Sequence, residues 1–188
     1  SSEETNANSQ YLFAIRMERG LSSTATSITY DIGVVMLETT VNQLIWASFE
    51  DDSFFTKTKS LVAQMRPKEL VFEPGNVEKN LLGVFSNGFI SAQLSKLPNT
   101  KSYWHQGVAQ SLLQDCENLP DNEPLVMEAM SGCLSYLKQC YIQEKVLSGL
   151  RIMKYDQSNR KKMILDSQAL QHLEVFNSME FGKDENKG

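Results

Sequence analysis

The stretch Ile32-Gly33-Val34-Val35-Met36-Leu37 constrains the fold more than any other. It is almost continuously apolar, which suits a β-strand covered on both faces. Val41-Asn42-Gln43 offers a turn, and Leu44-Ile45-Trp46-Ala47-Ser48-Phe49 returns as an antiparallel partner. Asp51, Asp52 and Ser53 then supply N-cap chemistry for a helix carrying Phe54, Phe55, Thr58, Leu61, Val62 and Met65, which Pro67 ends. Leu70-Val71-Phe72 is a third short buried strand, closed by the turn Pro74-Gly75-Asn76. A short helix through Leu81, Leu82 and Phe85 follows, then an alternating strand from Phe89 to Leu94 and a helix opened by Tyr103-Trp104 and running through Val108, Leu112 and Leu113. Hairpin, helix, strand, helix, strand predicts an α/β fold with a mixed sheet flanked by helices.

The second part of the chain differs in character. Asn118 to Asn122 reads as a linker, and Pro124 suits the first turn of a helix because its missing N–H is unneeded there. The apolar spacing predicts one long helix from Pro124 to Leu147, stopped at Gly149. Leu150 to Met153 and Met163 to Leu165 are expected to pair as two short strands around the polar turn Asp156–Arg160. Asp166 is placed to cap a helix whose buried face carries Leu170, Leu173 and Phe176.

A chain of 188 residues holds one core, or one domain and part of a second. Its net charge of −5 argues against strong nucleic-acid binding by this piece alone, because neutralising phosphates requires clustered Lys and Arg. The basic cluster Arg160-Lys161-Lys162, with Lys154 near it, reads as a solvated strand entrance. No apolar run approaches the roughly 20 residues that cross a bilayer, so no membrane partner is expected. The lack of an initiator Met and the polar end from Gly182 to Gly188 fit a piece of a longer polypeptide. Cys133 and Cys140 stand seven apart on the predicted helix. Their Cα atoms would then lie roughly 10 Å apart, too far for a disulfide. Reduced thiols in a cytosolic or nuclear setting follow. With His105 and His172 as the two histidines and no Cys-x-x-Cys pair, zinc is not expected.

Several strings carry a family signal. Leu165-Asp166, then Leu170-Gln171-His172-Leu173-Glu174-Val175-Phe176, resembles the LD-x-x-T-L-x-x-LE-I/V-F segment of the MutS family of mismatch-recognition proteins. Ala169 and His172 stand where that family usually has Thr and Asn. Ser131-Gly132-Cys133-Leu134-Ser135-Tyr136-Leu137-Lys138-Gln139-Cys140 is similar to the GG-C-x-x-Y-L-K-x-C helix of the large, mismatch-contacting subunits of eukaryotic MutSα heterodimers. Arg66 to Asn76 resembles the family's P-x-E-V-x-x-E-x-x-N turn, and Tyr11-Leu12-Phe13-Ala14-Ile15 its KYL-x-x-I strand. The resemblance implies an RNase-H-like connector domain over residues 1–119 and the mainly helical start of a core, or lever, domain over 120–188. It implies a non-catalytic relay between a mismatch clamp and a distant ATPase. It further implies a second MutS-homologue subunit, a MutL-type partner, mismatched DNA held by other domains, and a nuclear location. ATP and Mg²⁺ would belong to the parent protein; no cofactor is expected in this chain, which contains no G-x-x-x-x-G-K-[ST] string.

Two alternatives stand beside that reading. An RNase-H-like nuclease would hold divalent metal with carboxylates on adjacent strands, and Glu38 and Glu73 occupy strand ends. A third acid would have to come from Asp115 or Glu117. Otherwise Glu38 and Glu73 are solvated acids at turns. The other alternative is a scaffold module unrelated to repair. His105 and His172 read as helix-surface residues, and Phe54-Phe55 and Trp46/Phe49 as core rather than a base-stacking platform. No catalytic residue is assigned.

Overall fold

The computed structural model describes residues 10–87 and 90–156. Gln10–Lys154 form one compact unit. Its centre is an antiparallel meander of β1 (Tyr11–Arg19), β2 (Thr29–Glu38) and β3 (Gln43–Asp52). Helix α1 (Thr56–Met65) leads to β4 (Glu69–Phe72), which pairs parallel to β1. Helix α2 (Lys79–Ser86) leads to β5 (Gln93–Lys96), parallel to β4. Next come α3 (Gln106–Leu112), α4 (Pro124–Gln139) and α5 (Gln143–Leu147). β6 (Arg151–Lys154) closes the sheet on β3. The strand order is β5-β4-β1-β2-β3-β6.

Strand alternation divides the core into two layers. Leu12, Ala14, Val35, Leu37, Leu44, Trp46 and Val71 face α3 and α4, where Met127, Met130, Cys133, Leu134 and Leu137 meet them. The opposite face carries Phe13 and Ile15, and the Phe13 ring meets Phe85 of α2 edge-on, centroids 5.8 Å apart. The continuous apolar run is thus buried on both faces, as its composition predicts. Gly33 is required for this closeness. A Cβ there would stand 2.5 Å from the backbone carbon of Leu125, so only glycine lets α4 approach the sheet here.

Helix α1 is capped from the strand before it. The Asp51 carboxylate, buried, accepts the N–H groups of Lys57 (3.0 Å) and Thr58 (2.8 Å), and Asp52 accepts that of Thr56 (3.1 Å). The expected cap chemistry is present, although the helix starts two residues later than the apolar pattern implied. Phe55 precedes it in a left-handed conformation and is buried against Tyr30, whereas Phe54 is exposed.

Three further expectations need correction: where α4 ends, where β5 begins and where α3 begins. The helix from Pro124 stops at Gln139, not Leu147. Ile142 N–H bonds the Leu137 carbonyl (3.0 Å) and Tyr141 N–H the Lys138 carbonyl (3.1 Å), with Tyr141 left-handed at φ 61. This pair of bonds is a Schellman stop, which satisfies the terminal carbonyls and turns the chain. Helix α4 packs on β1, β2, β3 and β4, and residues 118–123 fall within the unit Gln10–Lys154. β6 pairs parallel with β3; its expected partner 163–165 lies outside the described residues. Strand β5 begins at Gln93, later than expected. Helix α3 begins after His105, whose Nδ1 accepts the Gly107 N–H (3.0 Å) and so caps it. Asp166, the helix after it, His172, and Arg160–Lys162 also lie outside the described residues. Pro124 stands in the first turn of α4, as expected.

Candidate functional site

Arg16 sits on the face of β1 that looks toward α3 and α4, in a strand otherwise apolar from Tyr11 to Met17. It is buried, and a buried cation is tolerated only with partners. Two carboxylates provide them. Glu73, just beyond the end of β4, pairs with Nη1; Glu128, one turn into α4, bonds Nη2 at 3.0 Å. The guanidinium also lies over the Trp104 ring, 5.2 Å from its centroid. Nε is buried without a partner among the described residues. Trp104 is held in turn by its Nε1–H, which donates to the Leu97 carbonyl (2.8 Å), and by Gly132 of α4 pressed against its ring. A cleft of about 500 Å³ opens beside this cluster, lined by Arg16, Asn99, Trp104, His105 and Glu128.

At the other end of α4, Tyr136 donates its hydroxyl to Glu69, which also accepts from Ser95 of β5. Burial and the Glu69 hydrogen bond push the Tyr136 phenol up to about 12. Because the folded state raises this value above the ordinary 10.0, the contact stabilises fully below pH 10.0 and its contribution is lost as pH rises toward about 12. Burial and the Glu38 charge also raise the Tyr11 phenol, so titration of phenolate absorbance should show more than one late tyrosine, and Tyr136→Phe should remove one of them; identical curves for the two chains would refute the assignment. Asn76 completes the set: its side-chain amide pairs with the backbone of Met17, accepting at 3.1 Å and donating at 3.2 Å.

The geometry separates the acids considered for a metal. Glu38 lies opposite Tyr11 at the start of β1, while Glu73 reaches Arg16. Five residues of strand, roughly 17 Å, stand between those levels, against the roughly 4 Å spacing of a two-metal site. Glu38 is buried rather than solvated. It accepts from the Thr40 hydroxyl (2.6 Å) and the backbone N–H of Val41 (3.0 Å) and Gln10 (3.2 Å), which makes it the anchor of its turn. Glu73 is engaged by a guanidinium, a cation fixed in place. Asp115 and Glu117 are exposed in the turn after α3. Among the described residues, no three His, Cys, Asp or Glu side chains group to hold a metal. Cys133 is fully buried, and burial pushes its thiol up to about 12, which leaves it inert as a nucleophile. Trp46 is core, with the Lys154 ammonium over its ring at 5.4 Å, and Phe49 is half-buried.

Sequence reasoning passed over Arg16, Trp104 and Glu128. A signal for Arg16 was available: an arginine on the buried register of an apolar strand demands counter-charges. Which carboxylates answer it was not readable, since they lie 57 and 112 residues away.

No family model matches the chain. Among characterised proteins, the DNA mismatch repair protein Msh6 of Gallus gallus is 23% identical across 93% of this chain, and MSH6 of Saccharomyces cerevisiae is 27% identical across 81%. Over most of its length the chain is similar to MutS-family proteins, most like the Msh6 proteins. The DNA mismatch repair protein MutS of Methanosarcina barkeri aligns too, 25% identical over 99% of this chain. The chain spans 16% of the length of the Gallus gallus relative, 14% of the yeast one and 21% of the archaeal one. The MutS-like strings have structural employment here. Glu69 and Tyr136 bond each other, Glu73 holds Arg16, Asn76 splints β1, and Gly132 makes room for Trp104.

Proposed function

We propose that this chain is the connector region of a nuclear DNA mismatch-recognition protein. It is a non-catalytic body that transmits conformational change between a mismatch-binding clamp and an ATPase in other parts of the parent. That parent would pair with a second MutS homologue, hold mismatched DNA through other domains, bind ATP and Mg²⁺ in its ATPase, and offer a surface to a MutL-type protein. The antiparallel meander continued by parallel strands, with helices on both faces, supports the RNase-H-like label for this body. One observation carries the reading: the polar residues of the family-like strings are used to bind strands and helices to each other. A relay needs such stiffness, because a rigid body transmits rotation whereas a soft one absorbs it.

Hydrogen exchange on the whole parent protein, with and without ATP, tests this. ATP should change protection near the borders of residues 10–154 and leave α4 and the connection 118–123 unchanged, since these belong to one packed unit. Exchange unaltered by ATP throughout residues 10–154 would overturn the relay.

A further inference from the structure

Tyr141 is the most unusual residue on the surface. Its backbone is left-handed at φ 61 and its side chain is 97% exposed. The left-handed region is costly for a bulky side chain, and glycine is the usual occupant of this position in a helix stop. An aromatic residue therefore bears strain at a place where no described residue covers it. Strain of this kind concentrates at functional positions.

The surroundings supply a reason. Tyr141 and half-exposed Ile142 do not line a groove themselves, but in sequence they fall between Gln139 and Gln143, both of which line one of about 570 Å³ between α3 and the C-terminal half of α4. Its apolar floor is Tyr103, Val108 and Leu112, and Leu112 is 39% exposed. Among the described residues, Lys101 and Lys138 stand in its wall and no carboxylate does. Neither lysine makes an ion pair among the described residues. In a chain of net charge −5, an apolar groove bordered by two uncompensated cations is a local inversion of the surface.

We propose that this groove is a docking surface for an acidic amphipathic helix of a protein partner, with Tyr141 as its aromatic anchor. The inference rests on the connector reading and gives its partner surface a location. The apolar side of the incoming helix would cover Val108 and Leu112, as helix-in-groove recognition requires. Its flanking carboxylates would meet Lys101 and Lys138, and Tyr141 would close over it, aromatic anchors being where binding energy concentrates.

The test uses the 188-residue chain and a fluorescein-labelled synthetic helix with leucine on one face and glutamate on both flanks. Fluorescence anisotropy should show saturable binding that weakens with added salt. Leu112→Glu and the pair Lys101→Glu/Lys138→Glu should each weaken it about tenfold. Tyr141→Gly separates function from folding: it should raise Tm, because glycine relieves the left-handed strain, yet weaken binding about tenfold. A control helix with lysine in place of glutamate should not bind. Absent saturable binding, equal binding of the lysine helix, or affinity indifferent to Tyr141→Gly and Leu112→Glu would each overturn the proposal. None of these results touches the hydrogen-exchange test of the relay, so the two readings fail separately.

Discussion

Arg16→Ala should lower stability by about 3 kcal/mol, toward the bottom of the range for removing one partner from a buried ion pair. The loss is large because the guanidinium serves two carboxylates from distant parts of the chain. Without it, Glu73 and Glu128 face one another with no cation between them. Each keeps about a fifth of its side chain exposed, at 21% and 23%, so solvent relieves part of the repulsion. For a body of this size the change corresponds to a fall in Tm of about 10 °C. Arg16→Met, which keeps most of the packing, should cost nearly as much. Adding Glu128→Gln to Arg16→Met should recover part of the loss, because it removes one of the stranded charges. Urea denaturation of the four chains measures all of this. A cost for Arg16→Ala within about 1 kcal/mol, the value of an exposed pair, would show that the cluster is not a clasp.

Trp104→Ala should cost about 3–5 kcal/mol, the range for emptying a buried aromatic site. Trp104 is 1% exposed, supports Arg16 from below, and satisfies the Leu97 carbonyl. The more discriminating measurement couples it to Gly132. A Cβ on Gly132 would fall 2.2 Å from two carbons of the indole, so Gly132→Ala in the parent chain forces the ring or α4 to move and should cost about 1–3 kcal/mol. In the Trp104→Ala background the obstacle is gone. Alanine is the better helix former by about 1 kcal/mol, so the same substitution should there be neutral or stabilising. A double-mutant cycle reads this change of sign as a coupling energy. Equal costs for Gly132→Ala in both backgrounds would mean that the glycine is not there for the indole.

The two predictions concern residues of different legibility. Gly132 belongs to a string that resembles a MutS-family helix, which marks its position but not its purpose. The structure supplies the purpose, a ring lying on the helix backbone. Trp104 lies before α3 rather than opening it, and its role depends on Leu97, Arg16 and Gly132 together. Tyr141 falls within the helix expected from Pro124 to Leu147, yet it lies two residues past the end of α4. Spacing alone could not reveal the stop at Gln139, since no Gly or Pro marks it and the terminating residue is itself aromatic.

Short-range chemistry was readable without coordinates. The uniform apolarity of Ile32–Leu37, the return strand after Asn42, the carboxylates that cap α1, and the proline that opens α4 each act within a few residues, so their positions in the chain carry their effect. Strand order, the parallel seating of β6 on β3, the unity of residues 10–154 and the Arg16 clasp needed the folded chain. These depend on contacts between residues tens to more than a hundred positions apart, such as Arg16 with Glu73 and Glu128. Periodicity records which face of an element is buried. It does not record which distant element covers that face, or which distant charge a buried cation will find.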